Sequence, residues 1–576
     1  MSYFWKILTL LVISLGLLSA CSDEKPVNET DTLQEVVQTG TTSHPDQDLI
    51  DRAGAPLFEG MGNHQHQITT REPGAQRYFD QGLVLAFAFN HEEAIRSFKA
   101  AQKLDPSCAM CYWGEALATG PNINITSDGK VIMSPDERLD AYEALQLAIA
   151  RMDSASVHEQ AYIEALQSRY NGDVTKDRAG LDQAYAQAMA NLAEKYPQDL
   201  DASALYAEAL MNTMPWNYWK DDGDPREDTK RVIAALETVL AADPQHPLAI
   251  HLYIHAVEAS GNPGRAESAA DRLAALVPGA GHLVHMPSHI YWRLGRYHDA
   301  SNANIEAANV DEKYIAQCNA QGFYPALYYP HNIHFLWAAS TMEGRSALSI
   351  ESAIRVANNV RVEQVKQFPT IEFFRTIPLL SYVRFGKWEE ILTAPEPDAE
   401  FKFSQGIRHY ARGIAFANKG ELEAAKAEQL QLVPLKETVS VQFLDKRNFP
   451  ASRLLDIASE LLLGEIQFAA KNYAAAAEYY GEAVNLQDTL PYTEPPFWYY
   501  PTRQSLGHAL LMDGKSQVAE MVYRQDLEDY PRNGWSMFGL VQALEAQQKT
   551  DEAAEVRERF EEVWQMSDIE LSASRI

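Results

Sequence analysis

The hydrophobic positions of this chain predict helices almost throughout residues 75–566. Apolar and small side chains recur at spacings of three and four, which places them along one helix face, and no alternating strand-like stretch competes with this pattern. The first clear unit begins at Ala75 and contains two predicted helices, the second of which ends at Pro106. Its small, aromatic and apolar positions are Tyr78, Gly82, Leu85, Ala94, Phe98 and Ala101.

This unit resembles the tetratricopeptide repeat, in which two antiparallel helices cross at small residues and an aromatic side chain fills the gap. Counting such units along the chain gives about ten to twelve, and they must stack because one unit cannot bury its apolar face alone. The resemblance implies an all-α, tetratricopeptide-type helix-turn-helix solenoid, wound as a right-handed superhelix. The glycines that align the units are Gly261, Gly295, Gly344, Gly386, Gly420 and Gly514, and the closing prolines are Pro106, Pro197, Pro244, Pro278 and Pro531.

Residues 1–20 contain a lysine, an apolar run and a small-residue site, which indicates a secretory signal rather than a membrane span. The sequence LSAC at 18–21 resembles the bacterial lipobox, which implies that Cys21 carries a lipid; the alternative is an ordinary cleaved signal that contains a cysteine. Ser22 follows, and resemblance to Gram-negative lipoproteins then implies the outer membrane, facing the periplasm. No other run reaches about 18 apolar residues, so we expect membrane contact through the lipid anchor only.

The remaining domain boundaries follow from composition. Residues 21–60 are rich in Asp, Glu, Thr and Gln and poor in aromatics, which predicts a lipidated, disordered tether. We assign residues 61–390 to an N-terminal repeat array and residues 391–576 to a C-terminal one, because the stretch TAPEPDAE interrupts the pattern near 390–405.

The formal charge is −30, from 49 Lys and Arg against 79 Asp and Glu. We therefore expect no nucleic-acid partner, because binding to phosphates needs a basic surface. The acidity is compatible with cationic or metal partners and equally with a solvated acidic surface. Cys108 and Cys111 form a CAMC sequence, which predicts a disulfide in an oxidising compartment or a buried structural pair.

Histidines cluster between residues 251 and 334, where eight of the 16 in the chain are found. His251 and His255 are four residues apart, as are His285 and His289, and the second pair follows the first by 34 residues. When positions are counted from the start of each repeat, the histidines lie on one face of the first of the two helices in that repeat. The resemblance implies that this face lines the concave groove, where peptide ligands are held.

Three interpretations of the cluster stay open. In the first, His251, His255, His285 and His289 coordinate a transition metal such as Zn, Cu or Fe. In the second, the histidines hydrogen-bond an organic ligand or an acidic peptide end. In the third, they pair with neighbouring carboxylates in a polar groove. The first interpretation also includes residues that would bind the metal directly or hydrogen-bond to its ligands. They are His282, His331, His334 and Glu258.

Two further features concern the walls of the groove. Pro287 lies inside the helix that carries His285 and His289, and it should bend that helix. Aromatic loops could cover the groove and contact a ligand, although aromatic filling between irregular repeats is the alternative. The candidate groove aromatics are Trp216, Trp219, Tyr328 and Tyr329.

Motifs of nucleophilic, phosphate-binding and zinc-protease chemistry are missing from the sequence, so no catalytic residue is assigned and enzymatic activity stays open. The leading hypothesis is a lipid-anchored periplasmic interaction protein that binds a protein or peptide partner, or a small ligand, in its groove. The alternative is a metalloprotein, with or without enzymatic activity, whose site is formed by the histidines of residues 251–334.

Overall fold

Helices that follow one another along the chain pack side by side in the computed structural model of the protein. It describes residues 46–126, 131–175, 177–220, 223–318 and 324–576. The predicted all-α class is confirmed, and the strands within these ranges are a two-residue parallel pair, β1 (Ile125–Thr126) and β2 (Val131–Ile132), with Ile125 opposite Val131. None of the described helices is both long and apolar enough to cross a bilayer. The predicted signal peptide and the lipid-modified Cys21 lie outside the described residues.

The helices of the first half run to residue 318. They are α1 Gln47–Ala53, α2 Pro73–Phe87, α3 His91–Leu104, α4 Ala109–Thr119, α5 Pro135–Ile149, α6 Val157–Gln167, α7 Ala179–Lys195, α8 Leu200–Asn212, α9 Glu227–Ala242, α10 Pro247–Val257, α11 Glu267–Leu276, α12 Gly281–His285, α13 Pro287–Arg293 and α14 Tyr297–Cys318. Short 3₁₀ helices occupy Met152–Ser154 and Pro263–Ala266.

The second half begins with a π-helix, Tyr324–Tyr328, that leads directly into α15. The helices are α15 Tyr329–Met342, α16 Ser346–Asn359, α17 Val362–Gln367, α18 Ile377–Arg384, α19 Trp388–Thr393, α20 Lys402–Asn418, α21 Leu422–Leu432, α22 Val439–Asp445, α23 Ala451–Ala469, α24 Tyr473–Asp488, α25 Arg503–Met512, α26 Ser516–Asp529, α27 Gly534–Ala546 and α28 Thr550–Val563. Two 3₁₀ helices, Pro369–Arg375 and Val433–Glu437, join their neighbours.

An aromatic ring wedged between glycines joins consecutive helices. Phe98 of α3 lies against Gly82 of α2 and Gly114 of α4, and a methyl group at Gly82 would lie 2.9 Å from the ring. Only glycine lets the helix backbones approach the ring this closely, which is why small residues and aromatics alternate in the sequence. The same arrangement recurs at Gly464 with Tyr480, and at Gly507 and Gly539 with Tyr523.

Two large hydrophobic clusters form the core, and the histidine-rich region lies where they meet. The first extends from Ala53 to Tyr328 and includes Ile290, whereas the second begins at Tyr291 and extends to Val556. One helix, α13, therefore contributes to both clusters. The ring of His289 on α13 packs against Phe335 of the second cluster at this junction.

The C-terminal part of the chain folds back onto the middle. The indole Nε1 of Trp535 donates to the carbonyl of Thr341 at 3.1 Å, and the carboxylate of Asp568 accepts from the backbone N–H of Ser346 at 2.6 Å. This return also brings Glu494, from the segment between α24 and α25, within 3.4 Å of His289. Residues far apart in sequence thus meet at the histidine region.

The folded body begins earlier than the predicted tether boundary at residue 60. Residues 48–60 belong to the same compact unit as the repeats. Ala53 and Ala55 are buried, the hydroxyl of Tyr78 donates to the carbonyl of Ala55 at 2.5 Å, and the N–H of Gly279 donates to the carbonyl of Gly60 at 2.9 Å. Composition misses this segment because its few apolar side chains are buried against other repeats.

Other sequence predictions concern α4 and the middle of the chain. Cys108 and Cys111 form a disulfide at the start of α4, as predicted. An irregular segment, residues 394–401, separates α19 from α20 at the predicted division between the arrays. Side chains on both sides of it, including Leu380 and Ile407, share one hydrophobic cluster. The division at residues 390 and 391 stays a prediction.

The glycine–aromatic wedge can be tested by Gly82→Ala. The added methyl group must displace the Phe98 ring, which is buried and cannot move freely, so we expect a loss of roughly 1–3 kcal/mol in the free energy of unfolding. Gly481→Ala in α24 is the matched control, because a methyl group there meets no atom within 4 Å and should stabilise the helix by roughly 0.4–1 kcal/mol. Urea denaturation followed by circular dichroism measures both changes; equal stabilities of the two variants would contradict the wedge.

A buried carboxyl that joins α26 to α27 makes stability depend on pH. Asp526 accepts hydrogen bonds from the Ser536 hydroxyl at 2.5 Å and from the Asn533 amide at 3.3 Å, and burial raises its pKa to about 7. Because the native state then holds a proton that the unfolded chain releases near pH 4, stability falls as the pH rises from about 4 to 7. Asp526→Asn keeps an acceptor oxygen and carries no charge.

We compare the free energy of unfolding of Asp526→Asn with that of the wild type at pH 4 and at pH 8. The difference, variant minus wild type, should be larger at pH 8 than at pH 4 by on the order of 2–4 kcal/mol. Urea denaturation at both pH values measures the difference. Asp551→Asn, an exposed position at the start of α28, serves as the control and should show little pH dependence of its own. The same stability change at both pH values for Asp526→Asn would refute the assignment.

Candidate metal centre in the buried histidine cluster

Helix α10 carries the first pair of histidines and is buried on all sides. His251 and His255 are one turn apart, so their rings leave the helix on the same face. Glu258 is the residue that caps the C-terminus of α10, and it is also buried. A carboxylate there accepts hydrogen bonds from nearby imidazoles rather than from water.

The second pair lies on either side of a helix break. Pro287 lacks an N–H group and cannot donate to the carbonyl of Leu283, so α12 ends at His285 and α13 begins at Pro287. The helix break agrees with the expectation that Pro287 either bends the helix or frees a carbonyl. His282 and His285 therefore leave α12 toward the same region as His289 of α13, and the rings of His285 and His289 have their centroids 4.8 Å apart.

Helix α15 supplies one histidine to the cluster and keeps another outside it. His331 lies with its ring centroid 4.8 Å from that of His285. His334 instead stacks on Trp337 at 5.3 Å and packs edge-on against Phe373 at 5.4 Å. Burial among these rings lowers the pKa of His334 to about 3. The structure thus does not bring His334 together with the other predicted ligands.

Six histidines form two groups of three, which we call the first and second triads. Within each triad, one ligand atom from every residue lies within 4.8 Å of the others. Rings of the two triads are neighbours, since the centroids of His255 and His289 are 5.4 Å apart. The first triad is His251, His255 and His282, and the second is His285, His289 and His331.

Hydrogen bonds at Nδ1 fix the orientation of one ring in each triad. His251 Nδ1 is 2.7 Å from the carbonyl oxygen of Phe87, and His285 Nδ1 is 2.6 Å from Oδ1 of Asn304. The Asn304 amide nitrogen donates to the carbonyl of Ala300 at 2.7 Å, so Oδ1 is the atom that faces His285. Both acceptors require a proton on Nδ1, which leaves Nε2 with a free lone pair in each neutral ring.

Glu258 orients a second ring in each triad. One carboxylate oxygen lies 3.0 Å from Nδ1 of His255 and the other lies 2.5 Å from Nδ1 of His289. Burial favours the neutral acid, but the charge on His289 and the two hydrogen bonds outweigh it and hold the pKa of Glu258 well below its usual range. Glu258 is therefore a carboxylate that links the two triads.

The Nε2 atoms of His285 and His289 face each other at 2.9 Å. Two lone pairs would repel at this distance, so one nitrogen must carry a proton or both must bind a cation. Burial lowers the pKa of His289, but the charge of Glu258 and the hydrogen bonds that His289 donates to Glu258 and Glu494 outweigh it and raise that pKa to about 9. In the metal-free protein His289 is thus the doubly protonated ring that donates to His285.

The rings of His251, His282 and His285 stay neutral. Burial, followed by the charges of neighbouring imidazoles, lowers the pKa of His251 and His282 well below the usual range, and the pKa of His285 falls for the same reasons. His251 Nε2 and both ring nitrogens of His282 lack a hydrogen-bond partner among the described residues. His251 Nε2 and one nitrogen of the neutral His282 ring therefore present lone pairs that no described protein group uses.

Aromatic side chains enclose the first triad. Phe89, in the turn between α2 and α3, lies with its ring centroid 4.5 Å from that of His251. Trp216 and Tyr328, which the sequence places in the groove wall, lie 5.1 Å from His255 and 4.9 Å from His282. These rings exclude water from one side of the cluster.

The other two predicted groove aromatics contact different groups. The Trp219 indole Nε1 donates to the carbonyl of Ala256 at 2.9 Å, and the Tyr329 hydroxyl donates to Glu312 at 2.7 Å. Neither side chain has a ring contact with the triads among the described residues. Whether any of the four aromatics binds a ligand stays a prediction.

Several site residues carry no sequence signal. Glu494 and Phe89 stand outside the histidine repeats, Asn304 lies on the second helix of one of them, and Glu494 lies more than 200 positions from Glu258 in sequence. The Glu494 carboxyl is buried beside His289, and its pKa is raised to about 7 by burial against the opposing charge of His289. Only the fold, which returns the segment after α24 to this place, brings it to the cluster.

Burial distinguishes among the three interpretations. Five of the six histidines are at most 3 % exposed, and His331 is half-buried. Pairing with a carboxylate accounts for His255 and His289, which share Glu258, but it does not account for the neutral rings of His251 and His285. An enclosed set of imidazoles suits a small ligand such as a metal ion better than an extended peptide.

A second cluster of histidines surrounds Asp201 of α8. His66 Nδ1 lies 2.7 Å from Asp201, and His246 Nε2 lies 3.0 Å from it. His246 Nδ1 also accepts from the N–H of Ala249, so both of its ring nitrogens are used within the protein. This cluster fastens residues 61–70 to α8 and α10, and we interpret it as structural.

Comparisons with known proteins support the fold. Residues 75–108 match the family model described as tetratricopeptide repeat, so the resemblance seen in the sequence is confirmed there. No curated protein matches the chain in sequence. Among solved structures, the human IFIT1 dimer with m7Gppp-AAAA aligns over 86% of this chain and 91% of that one, at 13% identity and a TM-score of 0.28.

Two other helical-repeat structures align in the same way. The APC/C hetero-tetramer Cut9-Hcn1 covers 85% of this chain and 87% of its own, at 15% identity and a TM-score of 0.23. The TPR domain of P58(IPK) covers 63% of this chain and 93% of its own, at 12% identity and a TM-score of 0.18. At these scores the likenesses carry no inference about a ligand or partner.

The protonation of the cluster can be measured directly in metal-free protein. We expect His289 to keep both ring protons until the pH approaches about 9, and His334 to stay neutral until the pH falls to about 3. Because the folded pKa of His289 exceeds its unfolded value, its contribution to stability is complete below about pH 6.5 and is lost as the pH rises through 9.

Nuclear magnetic resonance of ¹⁵N-histidine-labelled protein, with His289→Gln to assign the signal, measures these titrations. A His289 signal that titrates near pH 6.5 would refute the proton shared between His285 and His289.

Proposed function

We propose that this protein, a stack of helical hairpins that contains a tetratricopeptide repeat, is a metalloprotein that holds a transition metal in its buried histidine cluster. The observation that carries the proposal is the orientation of four rings: His251, His255, His285 and His289 each turn Nδ1 toward an acceptor. The Nε2 atoms of His285 and His289 thereby face each other at 2.9 Å inside the cluster, where a bound cation would replace the proton between them, and His251 Nε2 has no hydrogen-bond partner among the described residues. Metal-binding histidines in proteins are oriented in this way by carbonyl and carboxylate acceptors.

The donor set favours late first-row metals. Imidazole nitrogen suits Cu, Zn, Ni and Fe, whereas Mg²⁺ and Ca²⁺ prefer oxygen ligands. With the ligands all nitrogen, Cu²⁺ is expected to bind most tightly and Zn²⁺ next to it. Glu258 supports the rings and compensates part of the charge of the ion, and the enclosing aromatic rings limit access of water.

The cellular location is part of the proposal. The signal-like residues 1–20 and the lipobox cysteine Cys21 support a lipid anchor in the cell envelope, on the periplasmic side of the outer membrane. The disulfide between Cys108 and Cys111 agrees with this location, because such bonds persist in oxidising compartments.

Partner binding is the second candidate function. Stacked tetratricopeptide hairpins are interaction scaffolds, and the repeat at residues 75–108 supports this general role. A protein or peptide partner suits the formal charge of −30 better than a nucleic acid does. This function and metal binding are compatible, since the triads are buried and a partner would contact the exposed faces of the helices.

Elemental analysis of the full chain, purified without a histidine tag, tests the proposed function. We expect near-stoichiometric copper or zinc, and loss of at least half of it in the double variant His285→Ala, His289→Ala with helicity retained. His409→Ala is the matched control, because His409 pairs with Glu428 on α20–α21 and is outside the triads. Protein that stays metal-free after incubation with copper, zinc and iron salts, while correctly folded, would refute the proposal.

A further inference from the structure

We propose that the cluster holds two metal ions, one in each triad, and that Glu258 links them. The inference rests on the proposed function. It adds the number of bound ions and the cooperativity between the two binding steps. Six imidazoles exceed the four ligands of a usual tetrahedral site, so a single ion cannot take all of them as ligands. The histidines instead divide into two sets of three that share no member.

Each triad brings together enough ligand atoms for a separate coordination sphere. Three ligand atoms lie within 4.8 Å of one another in the first triad, and the same holds in the second. Three protein ligands with one open position are the common arrangement of zinc sites that bind a further small ligand. Both triads therefore offer a complete protein contribution to one ion.

The supporting hydrogen bonds follow the same division. The first triad has its own anchor in the Phe87 carbonyl, which holds His251, and the second has Asn304, which holds His285. Glu258 is shared, with one oxygen on His255 and the other on His289. A metal bound by either ring polarises its N–H group and strengthens its bond to the same carboxylate. The first ion therefore fixes Glu258 in place for the second, and we expect positive cooperativity.

The triads adjoin closely enough for their ions to interact. Ring centroids across the boundary are 5.4 Å apart for His255 and His289, and 5.7 Å apart for His282 and His285. A small bridging ligand such as hydroxide could contact both ions, because each triad leaves coordination positions open. The cluster thus has the composition of a two-metal centre within a helical-repeat scaffold.

Copper titration of metal-free full-length protein, with elemental analysis after desalting, tests the inference. We expect two copper ions per chain in the wild type. His251→Ala, His282→Ala removes the ligands of the first triad, and His285→Ala, His331→Ala those of the second; each should retain one ion. His66→Ala, in the Asp201 cluster, is the control and should retain two.

Supporting residues provide a test that keeps all ligands in place. Asn304→Ala should weaken only one of the two binding steps, by roughly 10- to 100-fold, whereas Glu258→Gln should weaken both by a similar factor and abolish cooperativity. Circular dichroism checks that each variant stays folded. If Asn304→Ala and Glu258→Gln weakened the same single step, the shared role of Glu258 would be wrong.

Electron paramagnetic resonance supplies a readout of proximity. We expect a Cu²⁺ spectrum broadened by spin–spin interaction in the loaded wild type, and the spectrum of an isolated ion in either triad variant. One ion per chain, lost in every triad variant, would overturn the two-ion inference and leave the proposed function standing. Protein that binds none would overturn both, and two ions without spin interaction would contradict the adjoining centre.

Discussion

A carboxylate that is taken out of water must be matched by hydrogen-bond donors, and the buried Glu258 meets this requirement with two imidazole N–H groups. This constraint sets the tautomers of His255 and His289 and turns their Nε2 atoms inward. Glu258 itself can occupy this place because α10 ends there, beside the helix break at Pro287. The orientation of one ring in each triad therefore depends on this one charge.

The repeat scaffold supplies the positions on which this arrangement depends. Histidines one turn apart recur after 34 residues, so consecutive repeats place them on facing helix surfaces. Two hydrophobic clusters meet at α13, and the imidazoles fill the junction between them. Burial there removes water from the rings, which keeps most of them neutral and their lone pairs available.

Periodic features of the fold and of the site could be predicted from the sequence. Helical spacing predicts the hairpins, and the repeat-phased pairs predict that His251, His255, His285 and His289 lie together. Position counting fails for His334, because its ring packs against Trp337 and Phe373 and not against the other imidazoles. Glu494 could not be predicted, since it reaches the cluster through a contact between distant segments, and Asn304 could not, since a single asparagine on the neighbouring helix leaves no periodic signal.

X-ray absorption spectroscopy at the metal edge of copper- or zinc-loaded protein tests the central claim most directly. Coordination by the triads predicts a first shell that contains several imidazole nitrogens at roughly 2.0–2.1 Å, with the outer-shell scattering of histidine rings. A first shell of sulfur, or of oxygen without imidazole scattering, would contradict the account and place the metal elsewhere in the protein.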